Sequence, residues 1–542
     1  RSRRVIVVVA ALCFPNKIPV RAMVTLLADK VDKILHRFAK AEDERMNWVS
    51  IWEDCYNFAF PRRVGFYDSA SGQSRTDEIY DSSTVHAVDE FASRMQSGLT
   101  PSFARWFEFE AGSEIPKEEH SKVSKALEDV CMYVWETLQQ SNMNQELHEG
   151  YLDLAVGTGC MLVEEGDSEK PIRFTMTPQR EVVLESGPWG DVNGVYRARM
   201  LKLRDIVTIW PKAKIPEDIK SQGANDPEHQ FKVVECVWRD WAYKNSERHE
   251  FAVVIQDPKT ILVEGEFVGD GSNPWIPFRW SKTAGETYGR GPLINALADV
   301  RTLNEVVRLG MENAAMSITG MWQADDDGII NPDTIELVPG TVIPRAMGAR
   351  GLEPLVPPGR FDAGQFLLQE MRQNIRKALF NETLGRPEKT PMSATEVNER
   401  MADLARTIGS AYGRLHTELV TPLLRRVVHI LKKQGKIELP RVNGREVKII
   451  NVSPLAQAQN NENVARVARW LELLNGGFGP QMTNMVVKAE QAAVYTGQQI
   501  GVPESLIRDE QEQAALAQAI AETQATVAGQ NPQGPPPPTG GM

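Results

Sequence analysis

Two long helical patterns flank a segment that cannot be helical, and this order between Tyr288 and Met401 restricts the fold more than any other stretch. The first opens at Gly289-Arg290-Gly291-Pro292, a turn with proline placed for a first helical position. From Leu293 to about Ile318, Leu293, Leu297, Val300, Leu303, Val307, Met311 and Ala314 recur at steps of three or four, which predicts one buried stripe. The opposite face carries Asp299, Arg301, Glu305, Arg308 and Glu312, with Glu305 one turn from Arg301 or Arg308. Such a helix is about 36 Å long.

Residues 320–361 break the pattern with Asp325-Asp326-Asp327-Gly328, Asn331-Pro332, Pro339-Gly340 and Pro357-Pro358-Gly359, leaving short β-like runs such as Thr341-Val342-Ile343. Asp362 then offers a cap to a return helix whose stripe is Leu367, Met371, Ile375 and Leu379, ending near Phe380. Helix out, compact lobe and helix back predict a stalk with a tip. After a loop with Gly385-Arg386-Pro387 and Lys389, Ser393-Ala394-Thr395-Glu396 forms a capping box. The helix it starts keeps its period to about residue 433, with a kink expected at Pro422.

A length of 542 residues predicts three or four domains, and 42% hydrophobic with 25% charged residues is ordinary for a folded chain. A net charge of -11 and a pI near 5.5 argue against a freestanding nucleic-acid binder, but do not exclude a protein that lets DNA slide past without sticking. The five cysteines form no CxxC pair, which points to a reducing compartment. Arg1-Ser2-Arg3-Arg4 and the apolar run Val5 to Phe14 imitate a secretory signal but are too short to span a bilayer. The favoured reading takes Met23 as the start and residues 1–22 as an upstream segment.

Elsewhere, a helix is expected from Val24 to Phe60, where Trp48, Trp52, Tyr56 and Phe60 form an aromatic stripe better read as a core seam than as a cofactor box. Ile79-Tyr80-Asp81-Ser82 leads into a helix to Met95, and Arg105 to Phe109 reads as a strand. Helices are expected over 117–140 and 144–156. Between Gly157 and Lys282 the period changes to two, giving strands at 160–164, 172–176, 182–184, 195–200, 231–241, 251–255 and 261–263, with a short helix over 203–210. The fold class is therefore α+β. A strand at 449–452 precedes helices over 464–474, 482–495 and 504–526, punctuated at Gly476-Gly477 and Gly501, and residues 529–542 have the composition of a disordered tail.

Chemistry is scarce. No GxxxxGK[ST], HExxH or GxSxG occurs, the eight histidines show no ligand spacing, and Gly157-Thr158-Gly159 reads as a turn. Asp325 to Asp327 lack the first and twelfth ligands of a calcium loop. No metal, cofactor or catalytic residue is assigned. Arg386 and Lys389 sit in a Gly/Pro-bounded loop that can present positive charge to phosphates, although a solvated loop is the simpler reading.

In their order along the chain, Ile79-Tyr80-Asp81-Ser82, Leu99-Thr100-Pro101 with Arg105-Trp106-Phe107, Tyr288-Gly289-Arg290-Gly291-Pro292, Met392 to Val397, and Gly501-Val502-Pro503 resemble the portal proteins, or head-to-tail connectors, of short-tailed double-stranded DNA phages. The resemblance spans about Met23 to Thr526. It implies a wing over 23–287, stem helices over 288–319 and 362–380, a clip at 320–361 and a tunnel loop at 381–392. A long kinked wing helix with its following turn (393–448) and a crown (449–528) complete it. It further implies a non-enzymatic ring of about twelve subunits with double-stranded DNA in the axis. The ring would sit at the unique capsid vertex of the virion and assemble in the host cytoplasm with major capsid and scaffold proteins. Terminase and a tail adaptor protein are the expected partners, and no membrane is involved. Arg301, Arg308, Arg386 and Lys389 become candidate DNA-facing residues, and Asp325, Asp326 and Asp327 candidate partner-binding residues of the clip. The alternatives are a carboxylate-using hydrolase in the α+β body and an exported assembly factor.

Overall fold

The computed structural model describes residues 20–66, 78–110, 117–167, 169–242, 247–319, 322–323, 353–354, 361–381, 408–438, 448–451 and 454–500. In chain order the elements begin with helices α1 (Val20–Ala59) and α2 (Ser83–Leu99), strand β1 (Phe107–Glu110), and helices α3 (Lys117–Gln140) and α4 (Met143–Val156). Strands β2 (Thr158–Glu165), β3 (Ile172–Met176), β4 (Val182–Ser186) and β5 (Val192–Lys202) lead to short helices α5 (Leu203–Ile209) and α6 (Glu217–Asn225). Next come β6 (Gln230–Arg239), β7 (Arg248–Ile255), β8 (Thr260–Val268) and β9 (Trp275–Arg279), then α7 (Pro292–Thr319), β10 (Trp322–Gln323), β11 (Glu353–Pro354) and α8 (Phe361–Ala378). The chain continues through α9 (Gly409–Leu415), a π-helical turn (His416–Val420), α10 (Thr421–Lys433), β12 (Lys448–Asn451), α11 (Pro454–Val486) and α12 (Ala489–Ile500). Mixed helix and sheet is thus the observed class.

The chain divides into two compact units, one of residues 1–94, 147–162 and 176–388, the other of residues 95–146, 163–175 and 389–542. At the centre of the first is an antiparallel sheet in the order β4-β5-β6-β7-β8. Apolar residues of both parities in β6 and β7 mean that both faces are covered. Val234, Cys236, Trp238, Ala252 and Val254 meet Val31, Ile34 and Phe38 of α1, whereas Phe231, Val233, Val253 and Ile255 meet Ile206 of α5 and Ile219 of α6. Each fully buried aliphatic side chain here contributes about 1.5–3 kcal/mol. Bonds at the edges fix α1 in register: Arg37 binds both oxygens of Glu185 at 2.9 Å, and Arg45 donates to the Arg180 carbonyl at 2.6 Å. Of the expected seam, Trp52, Tyr56 and Phe60 are buried, while Trp48 is only half-buried and stacks on Trp52 at 6.0 Å; Trp52 stands edge-on to Tyr288 at 5.0 Å.

The second unit pairs β1 with β12 antiparallel, Phe107 opposite Asn451, and packs α3 against β1 through the buried side chains Leu127, Cys131, Val134 and Leu138. From Gly409 to Lys433 the helical run is continuous. At Pro422, where a kink is expected, the structure shows a π turn just before the proline, whose missing N–H leaves the preceding register free to widen. Arg426 is buried on this run and donates to the Val163 carbonyl at 3.0 Å.

Two punctuation marks differ from expectation. α11 continues through Gly476-Gly477 and breaks at Gly479, whose φ of 79° only a glycine adopts without strain. The helix expected over 482–495 is interrupted after Val486, and α12 restarts at Ala489. β9 and α6 were not anticipated. The expected helix 504–526, the capping box at Ser393 and the tail 529–542 lie outside the described residues. Among those described, no helix is long and apolar enough to cross a membrane.

Candidate functional site

Helices α7 and α8 pack against each other, and β10 pairs antiparallel with β11, Trp322 opposite Pro354, so that the two ends of the insert meet. Among the described residues, the return of α8 along α7 and the β10–β11 pair are what the structure gives of the helix-out, helix-back order. Its stripe is buried only in part: Leu293, Leu297, Val300 and Leu303 of α7 and Ile375 and Leu379 of α8 are in the core. Further out, Leu309 and Met311 are each 50% exposed and Leu367 is 41% exposed, so Met371 and Val307 mark where cover within this unit runs out. The expectation of one continuously buried stripe fails there because only the proximal turns of the pair reach the body.

The base is built on a crossing of two backbones. Gly289 donates to the Thr158 hydroxyl at 2.8 Å and Gly291 to the Val156 carbonyl at 2.9 Å. A Cβ on Gly289 would overlap the Gly157 carbonyl oxygen, and one on Gly291 the Ala155 carbonyl oxygen. Gly289-Arg290-Gly291-Pro292 is thus a close-approach turn that starts α7 against β2.

A second anchor joins both helices to the segment before α2. The Asn304 side chain on α7 accepts from the Tyr80 amide at 2.8 Å and donates to the Glu78 carbonyl at 2.9 Å. Asp81 accepts from the Ser83 amide at 2.8 Å and, through its other oxygen, from Arg372 of α8 at 2.6 and 3.0 Å. Burial alone would raise the Asp81 carboxyl, but the Ser83 and Arg372 hydrogen bonds outweigh it and hold the group below the usual carboxylate range. Farther along, Arg94 of α2 donates to the Phe380 carbonyl and Asn381 to the Ala87 carbonyl, both at 2.8 Å. Local sequence marks none of these residues as an anchor. Ile79-Tyr80-Asp81-Ser82 stands out only through its resemblance to the family, which names no partner for it.

The candidate cations do not sit alike. Arg301 is half-exposed and paired with Asp54 of α1; Arg308 is paired with Glu305 and Glu312 on its own helix. Of the two partners considered for Glu305, Arg308 is the one it takes. Arg386, Lys389 and Asp325 to Asp327 lie outside the described residues. No group of three His, Cys, Asp or Glu among the described residues is placed to hold a metal. Cys55, Cys131, Cys160 and Cys236 are buried free thiols, and burial pushes Cys55 up to about 12 and Cys131 to about 11. Asp153, buried in the first unit, accepts from the Tyr56 hydroxyl at 3.1 Å and from Arg63, an arrangement that braces α1 against α4.

The family model for bacteriophage head to tail connecting proteins matches residues 31–507, a span that takes in the crossing, both anchors and the paired helices. This chain belongs to that family. It is 25% identical to the portal protein of Salmonella phage epsilon15 over 537 residues, covering 92% of this chain and 94% of that one. It is 24% identical to a probable portal protein of Bordetella phage BPP-1, covering 90% and 92%. The portal protein of Enterobacteria phage T3 is 22% identical, with 90% of each covered. A chain in the solved virion of a native gene transfer agent particle is similar over 78% of this chain and 92% of its own length, at 10% identity. Its TM-score of 0.39 is too low to carry an argument.

Proposed function

We propose that the chain is the subunit of a phage portal, a ring at the head-to-tail junction through which the genome enters and leaves the capsid. The family match over residues 31–507 carries this reading, because it covers nearly every described element. On it, α7 and α8 are the stem, residues 320–361 the clip, 381–392 the tunnel loop and 449–528 the crown. The wing is then residues 23–287 and 393–448. A closed ring needs head-to-tail contacts between copies, and the exposed outer turns of α7 and α8 supply apolar surface for them. About twelve copies would close it.

The acidic balance suits a conduit, since neutralising several phosphates would make binding that resists movement. Arg301 and Arg308 meet DNA, on this reading, with charge already offset by their carboxylate neighbours. Arg386 and Lys389 are the stronger DNA-facing candidates. The clip, with Asp325 to Asp327, docks terminase during packaging and a tail adaptor afterwards; the crown lies within the shell formed with major capsid and scaffold proteins. Assembly takes place in the host cytoplasm, and the ring is structural and not catalytic.

The test is packaging with paired variants. Arg386→Glu with Lys389→Glu is expected to reduce genome retention in particles that still assemble. Deletion of residues 324–328 is expected to weaken terminase or adaptor binding while leaving ring formation intact. Particles that package and retain DNA normally without this chain would overturn the reading.

A further inference from the structure

Helix α8 ends in a way its sequence does not favour. Phe380 donates to the Lys377 carbonyl at 3.1 Å and Asn381 to the Arg376 carbonyl at 2.8 Å, the two bonds of a Schellman motif. The residue that closes such a motif is normally glycine, because it takes up left-handed backbone. Here it is Phe380, with φ 58°, the one non-glycine residue of positive φ among the described residues.

Its surroundings hold it. Its ring packs on Trp280 with centroids 5.5 Å apart, and Trp280 in turn stands edge-on to Phe91 of α2 at 5.4 Å. Its carbonyl oxygen is taken by Arg94. The neighbouring Asn381 side chain is buried and tied to the Ala87 carbonyl, with its own Oδ1 unpaired and buried. An unfavourable backbone and an unsatisfied acceptor at one point persist only where the surroundings over-determine them, and such places need an explanation in function.

We infer that Phe380 and Asn381 form a positioning anchor, an aromatic wedge in place of a cap glycine, which makes α2 and Trp280 set the direction in which the chain leaves α8. The inference deepens the portal reading, because the segment so aimed is the loop that carries Arg386 and Lys389. A glycine would end the helix equally well but would leave the exit free to swing. The wedge gives up local backbone ease for a fixed departure.

The test uses the full-length assembled protein with Phe380→Gly, Phe380→Ala and Arg94→Gln, read by limited trypsin cleavage after Lys389 and by genome retention in particles. Lys389 precedes a threonine, a bond that trypsin can cleave, whereas Arg386 precedes Pro387, a bond it does not. Phe380→Gly is expected to raise cleavage after Lys389 about ten-fold through local release of the exit. Arg94→Gln should act in the same direction more weakly and covers the case in which the glycine variant misfolds. Phe380→Ala, which loses the wedge yet keeps the strained backbone, should melt below Phe380→Gly. Unchanged cleavage in both Phe380→Gly and Arg94→Gln overturns the anchor. Faster cleavage with undiminished genome retention supports the anchor and contradicts the placement of this loop in the channel.

Discussion

Asp81 shows how one side chain ties distant parts of the chain together. It is almost fully buried and charged, and it joins the start of α2 to Arg372, 291 residues away. Asp81→Asn should lower stability by about 1–3 kcal/mol at neutral pH, since Arg372 loses its counter-charge. The folded-state pKa is depressed, so this stabilisation is present above the unfolded-state value near 4 and is lost as pH falls through the folded value. Thermal melts of wild type and variant are therefore expected to differ at pH 7 and to converge as the pH falls through the depressed folded-state value. The glycines give a second contrast. Gly289→Ala puts a methyl group into the Gly157 carbonyl and is expected to cost several kcal/mol or prevent folding. Gly310→Ala, on α7 with open space around it, should stabilise by up to about 1 kcal/mol.

Elements were legible in the sequence wherever the cause was local. The seam Trp52, Tyr56 and Phe60, the 28 residues of α7 and the strands of the five-stranded sheet follow from periodicity, which burial enforces. β9 was hidden by Pro277, which speaks against a strand although it pairs with Cys160, and α6 by having Ile219 as its one buried residue. The anchor around Asp81 and Arg372 left no local trace, and periodicity on α7 could not say what covers Leu309 and Met311. That last gap is testable. Leu309→Glu with Met311→Glu is expected to change the melting of the isolated subunit by no more than about 0.5 kcal/mol, because both side chains are already half in solvent. The same pair should abolish assembly, read by sedimentation; assembly at wild-type levels would show that these turns are not covered by a neighbour.

At the scale of the molecule, two units share a chain that passes between them several times, and the family match runs through both. On the portal reading, the open outer turns of the paired helices are the surface that neighbouring copies would cover. The alternatives of a hydrolase and an exported assembly factor gain no support from family membership. The most direct test of the central claim is the native mass of the purified full chain, with negative-stain images of the same sample. The portal reading predicts a closed ring of about twelve subunits with an axial hole. A chain that stays monomeric even when produced with its capsid and scaffold proteins would contradict it.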